Sequence, residues 1–471
     1  MLENIYKIPT EVIQLLSSAE ANSYHVLPYN KTNSIYFYYS SKTPNKEGTA
    51  FELEVILGAK IVLTLIEDEI LNKLLLHYYR ESKSKIQNIS FTSGAGFVTT
   101  LIEEAYSLYA SDIHLEIHDG RCRIRFRIDG KLIEKYIIES INYMGIVNQI
   151  KILSNLDISE KRLPQDGRIL HNCDGNKFDV RVSTLPTIYG EKVVMRLLTR
   201  HSNLLVLENL GFDDRQLDDY KKAISNPNGL ILISGPTGSG KSTTLYATLI
   251  DINKEDTNIL TIEDPVEYTI KGVNQVQLKE EIGLTFGHAL RTFLRQDPDV
   301  IMLGEIRDSD TASMAIRSSL TGHLVFSTIH TNSAWGCVSR LVDMGAHPYL
   351  ISETLRICIA QRLVRILCPH CKEKLSDTSH LSRYIGNNKE GLNVNKAVGC
   401  QKCFYTGYSG RKALYEVIPI DEYLSEKIRK GCSDINDYLD KTGVSTLRSS
   451  AISMLKEGLT SFEEIIPLIY N

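Results

Sequence analysis

The stretch GLILISGPTGSGKSTTLYATLID, residues 229–251, decides how the rest of the chain is read. Gly229 to Ser234 is an apolar run of strand length, and Thr243 to Asp251 has the composition of a helix. Between them Gly235, Pro236, Thr237, Gly238, Ser239, Gly240, Lys241 and Ser242, with Thr243 behind, fit GxxxxGK[ST] in the strand, loop and helix context that motif needs. Backbone amides freed by the glycines wrap phosphate oxygens, and the positive end of the helix dipole helps. Lys241 brings a point charge to the outer phosphates and Ser242 a hydroxyl to Mg2+. A glycine-rich turn without a ligand is the competing reading, and the surrounding pattern counts against it.

Three further apolar, β-branched runs follow, bounded by turns: NILTIED (258–264), DVIMLGE (299–305) and HLVFSTIH (323–330). Such runs fit strands buried on both faces of a parallel sheet. VIMLGEIRD (300–308) resembles the strand that carries the magnesium-binding Asp of such enzymes, yet ends in Gly304 and Glu305. Ligands in open α/β sheets bind at the carboxyl ends of strands, so Glu263, Asp264 and Glu305 are expected to face the loop together. Glu305 is placed to orient or deprotonate an attacking water and Glu263 to hold Mg2+ through water, although the sequence leaves that division of labour open. Each of them also has a plainer reading as a solvated acid at a helix start.

At 471 residues the chain is too long for one core. Its 42% hydrophobic and 23% charged residues are those of a globular protein, and a net charge of -4 disfavours a polynucleotide partner. Met1–Gln14 lacks a signal-peptide pattern, and the most lipid-like run, VILGAKIVLTLI, is short and interrupted by Lys60. A cytoplasmic protein is expected. Residues 1–95 mix helical and strand patterns around an exposed loop, Ser40–Thr49, and carry no recognisable chemistry. Residues 97–203 read as an α+β unit: a helix, then a three-stranded meander over 112–136 with turns at Asp119-Gly120 and Asp129-Gly130, then a hairpin around Asp174-Gly175. Residues 204–210 read as a linker, 211–364 as the nucleotide-binding core, 365–410 as a cysteine-rich subdomain and 411–471 as a helical end.

In the α+β unit Arg121, Arg123, Arg125 and Arg127 share one strand face, where neighbouring carboxylates such as Glu116 are expected to pair with them. Nine cysteines without export signals argue against disulfides. Cys368 and Cys371, with Cys400 and Cys403, form two CxxC pairs that suit a tetrahedral thiolate site for structural Zn2+. A redox pair would open a helix and would need no duplication. His370 lies between the first two and is the weaker ligand.

These motifs together resemble the ATPases of type II secretion and type IV pilus assembly. The resemblance rests on the phosphate loop, TIEDPVEY (261–268), LRQDPDVIMLGEIRD (294–308) and TGHLVFSTIHTNSA (321–334), with SDIHLEI, RLPQDGR and GEKVVMRLL upstream, and covers about residues 105–420. It implies a RecA-like P-loop domain preceded by a PAS-like α+β domain, with a small zinc-binding insertion and a helical C-terminal end, and it makes Gly304-Glu305 the family's own variant. It further implies that Glu263 and Glu305 act in catalysis with His330 as a γ-phosphate sensor. Arg168 and Arg181 would be arginines that reach the nucleotide from the flanking domain, and Asp264 and His323 would couple hydrolysis to movement. The implied protein is a hexameric ATPase using ATP and Mg2+, peripheral to the inner membrane. It would work beneath a platform protein, with a cytoplasmic-facing membrane recruiter and residues 1–95 as docking region, and without nucleic acid. The zinc quartet marks the assembly branch. A RecA-like DNA-translocating or conjugation ATPase, or a nucleotide-sensing module without turnover, would share much of the pattern.

Overall fold

The computed structural model describes residues 8, 10–13, 15–16, 18–32, 34–78, 96–119, 121–173, 176–198, 206–375, 381, 384, 393–432 and 434–470. In the N-terminal unit β1 (Val26–Lys31) pairs antiparallel with β2 (Ile35–Tyr39), which pairs parallel with β3 (Ile61–Leu65). Leu53, Leu71, Leu74 and Leu75, from the helices Lys46–Leu57 and Asp68–Tyr78, close its core. The loop expected over Ser40–Thr49 ends early. Asn45 accepts a hydrogen bond from the Gly48 amide and starts the helix at Lys46, because a side-chain acceptor satisfies an otherwise orphaned amide of the first turn.

The alternating segment folds as the expected meander of β4 (Asp112–His118), β5 (Arg121–Ile128) and β6 (Lys131–Glu139). Then β7 (Gln165–Cys173) and β8 (Asn176–Thr187) form the second hairpin, whose Asp174-Gly175 tip lies outside the described residues. With β9 (Gly190–Leu198) they complete a six-stranded sheet in the order β6-β5-β4-β9-β8-β7. Period-2 alternation sends Ile113, Leu115, Ile124, Phe126, Val180 and Met195 to one face, where Leu101, Tyr143, Ile146 and Val147 of two helices cover them. The other face is charged. Glu116 there accepts from Arg123 at 2.9 Å and Arg125 at 2.7 Å, so the pairing expected for these arginines is present. Burial pushes the Glu116 carboxyl up, but Arg125, Lys192 and Arg123 outweigh it and bring its pKa down to about 2. The Arg121 side chain lies outside the described residues.

The segment expected as a linker over 204–210 is described from Val206, and there it is not loose. Leu207–Asn209 forms a short 3-10 turn and Leu207 is buried in the core of the next domain. That domain is a seven-stranded sheet in the order β12-β11-β13-β14-β10-β15-β18. Its strands are β10 (Gly229–Ser234), β11 (Ile259–Glu263), β12 (Asn274–Gln277), β13 (Val300–Leu303), β14 (Leu324–Ile329), β15 (Leu355–Leu367) and β18 (Tyr408–Pro419). All neighbours pair parallel except β15 with β18. Between those two, β16 (Glu373–Lys374) and β17 (Asn395–Lys396) make a small separate ladder. Every residue of β10 is buried: Leu230 and Leu232 join the core on one face, Ile231 and Ile233 that on the other. Burial on both faces is what made these strands read as continuous apolar runs.

Strand β18 corrects the expected boundaries at 364 and 411. It returns across the cysteine-rich subdomain to pair with β15 over Ile357–Leu367, so the sheet continues to Pro419. The helical end begins at Glu422 and runs through helices Glu422–Arg429, Asn436–Thr442, Leu447–Lys456 and Phe462–Ile469.

Candidate functional site

The turn after β10 leads straight into the helix Lys241–Ile252, with Gly240 at its N-cap. Gly235 and Gly240 take φ of +149° and +90°. A Cβ on Gly235 would sit 2.5 Å from the Gln361 carbonyl oxygen, and one on Gly240 2.8 Å from Gln361 Nε2, so β15 crowds the loop where side chains are absent. Lys241 lies inside the curl and donates to the carbonyls of Gly235 at 2.7 Å and Pro236 at 3.1 Å. Pro236, Thr237, Gly238 and Ser242 are exposed, Gly240 and Thr243 half-buried and Ser239 buried. Burial lowers the Lys241 pKa, the Glu305 carboxylate opposes that, and Arg362 adds to it.

The carboxyl ends of β11, β13 and β14 lie side by side along one sheet edge. At this edge Glu305 Oε1 accepts from Arg307, and Glu305 Oε2 stands 3.3 Å from His330 Nε2. Arg307 also reaches Asp264 Oδ2 at 3.4 Å. Asp264, Glu305, Arg307 and His330 therefore form one cluster. Burial pushes the Glu305 carboxyl up, but Arg307 and then His330 outweigh it, and the group lies below the usual carboxylate range.

Glu263 is oriented differently from the expectation that three acids converge. Its side chain is 5% exposed and accepts from Tyr246 of the loop's own helix, from Thr261 Oγ1 at 2.6 Å and from Gln275 Nε2 at 3.1 Å. Thr261 and Glu263 share a strand face, so the same register that buries the threonine turns the carboxylate under the helix. Tyr246 also receives the Glu267 amide at 3.1 Å. Burial and then the Glu263 charge raise the tyrosine pKa, which keeps it a donor.

His323 and His330 bracket β14 at opposite ends. His330 belongs to the cluster. His323 sits at the amino-terminal edge, where its ring Nδ1 meets the Ser318 carbonyl at 2.9 Å, away from the phosphate loop. The two expected arginines differ as well. Arg181 crosses from the α+β sheet to the loop after β11, donating to the Val266 carbonyl at 2.5 Å and pairing with Glu267 at 3.2 Å. Arg168 is 67% exposed and is held by Asp179 on its own sheet.

Four residues that the sequence did not single out complete the site. Arg307 and Tyr246 are described above. Arg362 of β15 donates to the Asn332 carbonyl at 3.0 Å and so ties the phosphate-loop side to the segment after β14. Arg196 stands directly opposite Arg181, and across the sheet Arg127, Asp112, Arg196, Arg181 and Arg168 form one cross-strand row. Like charges in such a row repel, and Asp112, Glu267 and Asp179 neutralise it.

Cys368, Cys371, Cys400 and Cys403 bring their sulfurs within 4.8 Å of one another, with edges of 3.9, 3.7 and 3.8 Å. Zinc at its ordinary thiolate distance of ~2.3 Å would separate tetrahedral sulfurs by about 3.8 Å, so the quartet fits that ion. The amides of Gly399, Cys400 and Gly407 donate to the sulfurs at 3.2–3.3 Å, which favours thiolates. His370 is exposed and stands outside the group. Elemental analysis of chain purified without chelator is expected to give about one zinc per chain, falling to near zero in Cys371→Ser/Cys403→Ser. Well under one zinc in the parent would refute the assignment.

A largely parallel, doubly covered sheet, a phosphate loop at the end of a central strand and acids at the ends of β11 and β13 along the same edge define a RecA-like P-loop nucleotide-binding protein. Residues 92–467 match the model of the family described as Type II/IV secretion system protein, and the chain belongs to that family. It is 38% identical to the type IV pilus assembly ATPase PilB of Myxococcus xanthus, over 98% of this chain and 87% of that one. It is 45% identical to the type II secretion system ATPase E of Vibrio cholerae, over 78% of this chain and 74% of that one. Among solved structures, the pilus retraction motor PilT with bound ADP superposes with a TM-score of 0.56 at 26% identity, covering 79% of this chain and 97% of that one. The Legionella pneumophila ATPase DotB superposes at 0.59 and 23% identity, covering 80% and 95%, and shares the fold. Among the described residues no helix is long and apolar enough to cross a membrane.

Proposed function

We propose that this chain binds ATP with Mg2+ at residues 235–243 and, as a ring of six copies, uses hydrolysis to drive assembly of a type IV pilus or a type II secretion pseudopilus. The observation that carries this reading is the setting of Glu305. Its carboxylate lies at the same carboxyl-end edge of the parallel sheet as the phosphate loop, with one oxygen toward Arg307 and the other toward His330. A carboxylate so held is ionised at neutral pH and accepts a proton from an attacking water. His330, on the same carboxylate, reports the presence of the terminal phosphate. Glu263 acts one layer further in, fixing the helix that carries Lys241 and Ser242 through Tyr246. The zinc knuckle is architectural, since four thiolates leave no open coordination position.

Arg181, already on the loop that follows Asp264, supplies charge from the flanking domain, with Arg168 behind it in the row. The motor works on the cytoplasmic side of the inner membrane, recruited by a platform protein and a membrane-bound adaptor through residues 1–95. ATP hydrolysis by the full chain, measured with and without Mg2+ and with and without DNA, tests the proposal. Magnesium-dependent turnover unmoved by DNA is expected. Stimulation by DNA would point to a polynucleotide motor, and tight ATP binding without turnover in the assembled ring to a sensor.

A further inference from the structure

In the scheme above Arg307 enters only as one of the two partners of Glu305. Its guanidinium donates to Glu305 Oε1 and stands 3.4 Å from Asp264 Oδ2, while His330 Nε2 stands 3.3 Å from Glu305 Oε2. Each Glu305 oxygen thus meets a nitrogen from a different segment, the guanidinium of the loop after β13 and the imidazole at the end of β14. Asp264, at the end of β11, braces the arginine from behind. An ordinary solvated pair between residues two apart would need neither the second acid nor an approach shared with a histidine from another strand, and would be worth little.

We propose that Arg307 is a positioning residue for ATP hydrolysis, holding the Glu305 carboxylate in one orientation and keeping it ionised, with Asp264 as its brace. The proposal rests on the reading of Glu305 as the proton acceptor.

A guanidinium pinned between two carboxylates cannot rotate freely, so the Glu305 side chain is fixed by contacts from two neighbouring strands. A half-buried carboxylate, 19% exposed, would otherwise drift toward its protonated form. The charged and titratable groups facing it are Arg307, His330 and Lys241, with Asp264 beyond the arginine. Removing Arg307 deletes one cation and takes away the guanidinium that Asp264 and Glu305 share. This favours the protonated acid. Since a protonated Glu305 accepts nothing, the acid limb of kcat moves to higher pH.

The test is the pH dependence of kcat and KM for MgATP in the full chain, comparing the parent with Arg307→Gln, Arg307→Lys and Glu305→Gln. Arg307 is 54% exposed, so its substitution leaves the fold intact, which circular dichroism checks. Arg307→Gln is expected to lower kcat at neutral pH roughly ten- to a hundredfold with KM little changed, as for a misplaced reacting group. Its acid limb shifts upward. Arg307→Lys, which keeps the charge and loses the fork, is expected to restore the acid limb but not the full kcat. An unchanged profile in Arg307→Gln, or an equal loss at every pH, overturns the proposal. Should Glu305→Gln turn over like the parent, the acceptor reading falls as well, whereas an inert Glu305→Gln beside a normal Arg307→Gln refutes the role of Arg307 alone.

Discussion

Glu305→Gln is expected to lower kcat by about a hundred- to ten-thousandfold, the range for losing a positioned proton acceptor, while ATP still binds. The amide is isosteric with the carboxylate and its oxygen still accepts from Arg307, so the local packing survives. What it cannot do is take a proton. Phosphate release under saturating MgATP measures the first quantity, and displacement of a fluorescent nucleotide the second. Because Lys241 and the backbone of residues 235–240 belong to a different strand end, affinity for nucleotide should stay within a few-fold of the parent. Turnover within a few-fold of the parent would remove Glu305 from the chemistry, and with it the central element of the motor reading.

Glu263 provides the contrast that gives this expectation its meaning. Both glutamates end apolar strands, and the sequence left their duties exchangeable. The geometry separates them: Glu263 is enclosed by Tyr246, Thr261 and Gln275, whereas Glu305 opens onto the loop edge. No periodicity in TIEDPVEY predicts that enclosure, because the tyrosine and the glutamine come from a helix 17 residues earlier and a strand 12 residues later. Motifs recorded which residue types stand at strand ends. Which way each side chain turns was set by strand register and by partners distant in sequence.

The same distinction explains what else was legible. β10, β11, β13 and β14 are buried on both faces and were evident as apolar runs. β15 and β18 were not, since Arg356, Gln361, Arg362 and Arg365 interrupt the first and Arg411 and Lys412 the second. Their polar residues have local tasks: Arg365 is paired with Glu464 of the last helix, and Arg411 reaches Asp129 of the α+β domain at 3.4 Å. The four zinc-type cysteines were readable because the ligand spacing is local within each pair. Arg307 carries no such signal, because an arginine two residues from a glutamate on a loop is usually a surface pair.

Arg181→Ala is the second large expected effect, a loss of kcat of about a thousandfold or more, as when a charge-stabilising arginine is removed from phosphoryl transfer. The register gives the reason for choosing Arg181 over its neighbours. In the row of Arg127, Asp112, Arg196, Arg181 and Arg168, Arg181 is the member hydrogen-bonded and ion-paired to the ATPase domain, at the Val266 carbonyl (2.5 Å) and Glu267 (3.2 Å). That loop follows Asp264, which shares Arg307 with Glu305, so one short segment links the Arg181 contact to the strand ends. A planar fork with permanent charge suits such a transfer from a loop carbonyl to phosphate oxygens. Arg181→Lys should recover only part of the rate, because a point charge reaches the phosphate without the paired geometry. Arg168→Ala should lose less, since Asp179 already neutralises that side chain and it lies one strand further from the loop. Single-turnover hydrolysis at saturating ATP, with nucleotide binding measured separately, distinguishes these ranks. Near-parental turnover in Arg181→Ala would mean that the contact with Val266 and Glu267 merely packs one domain on the other.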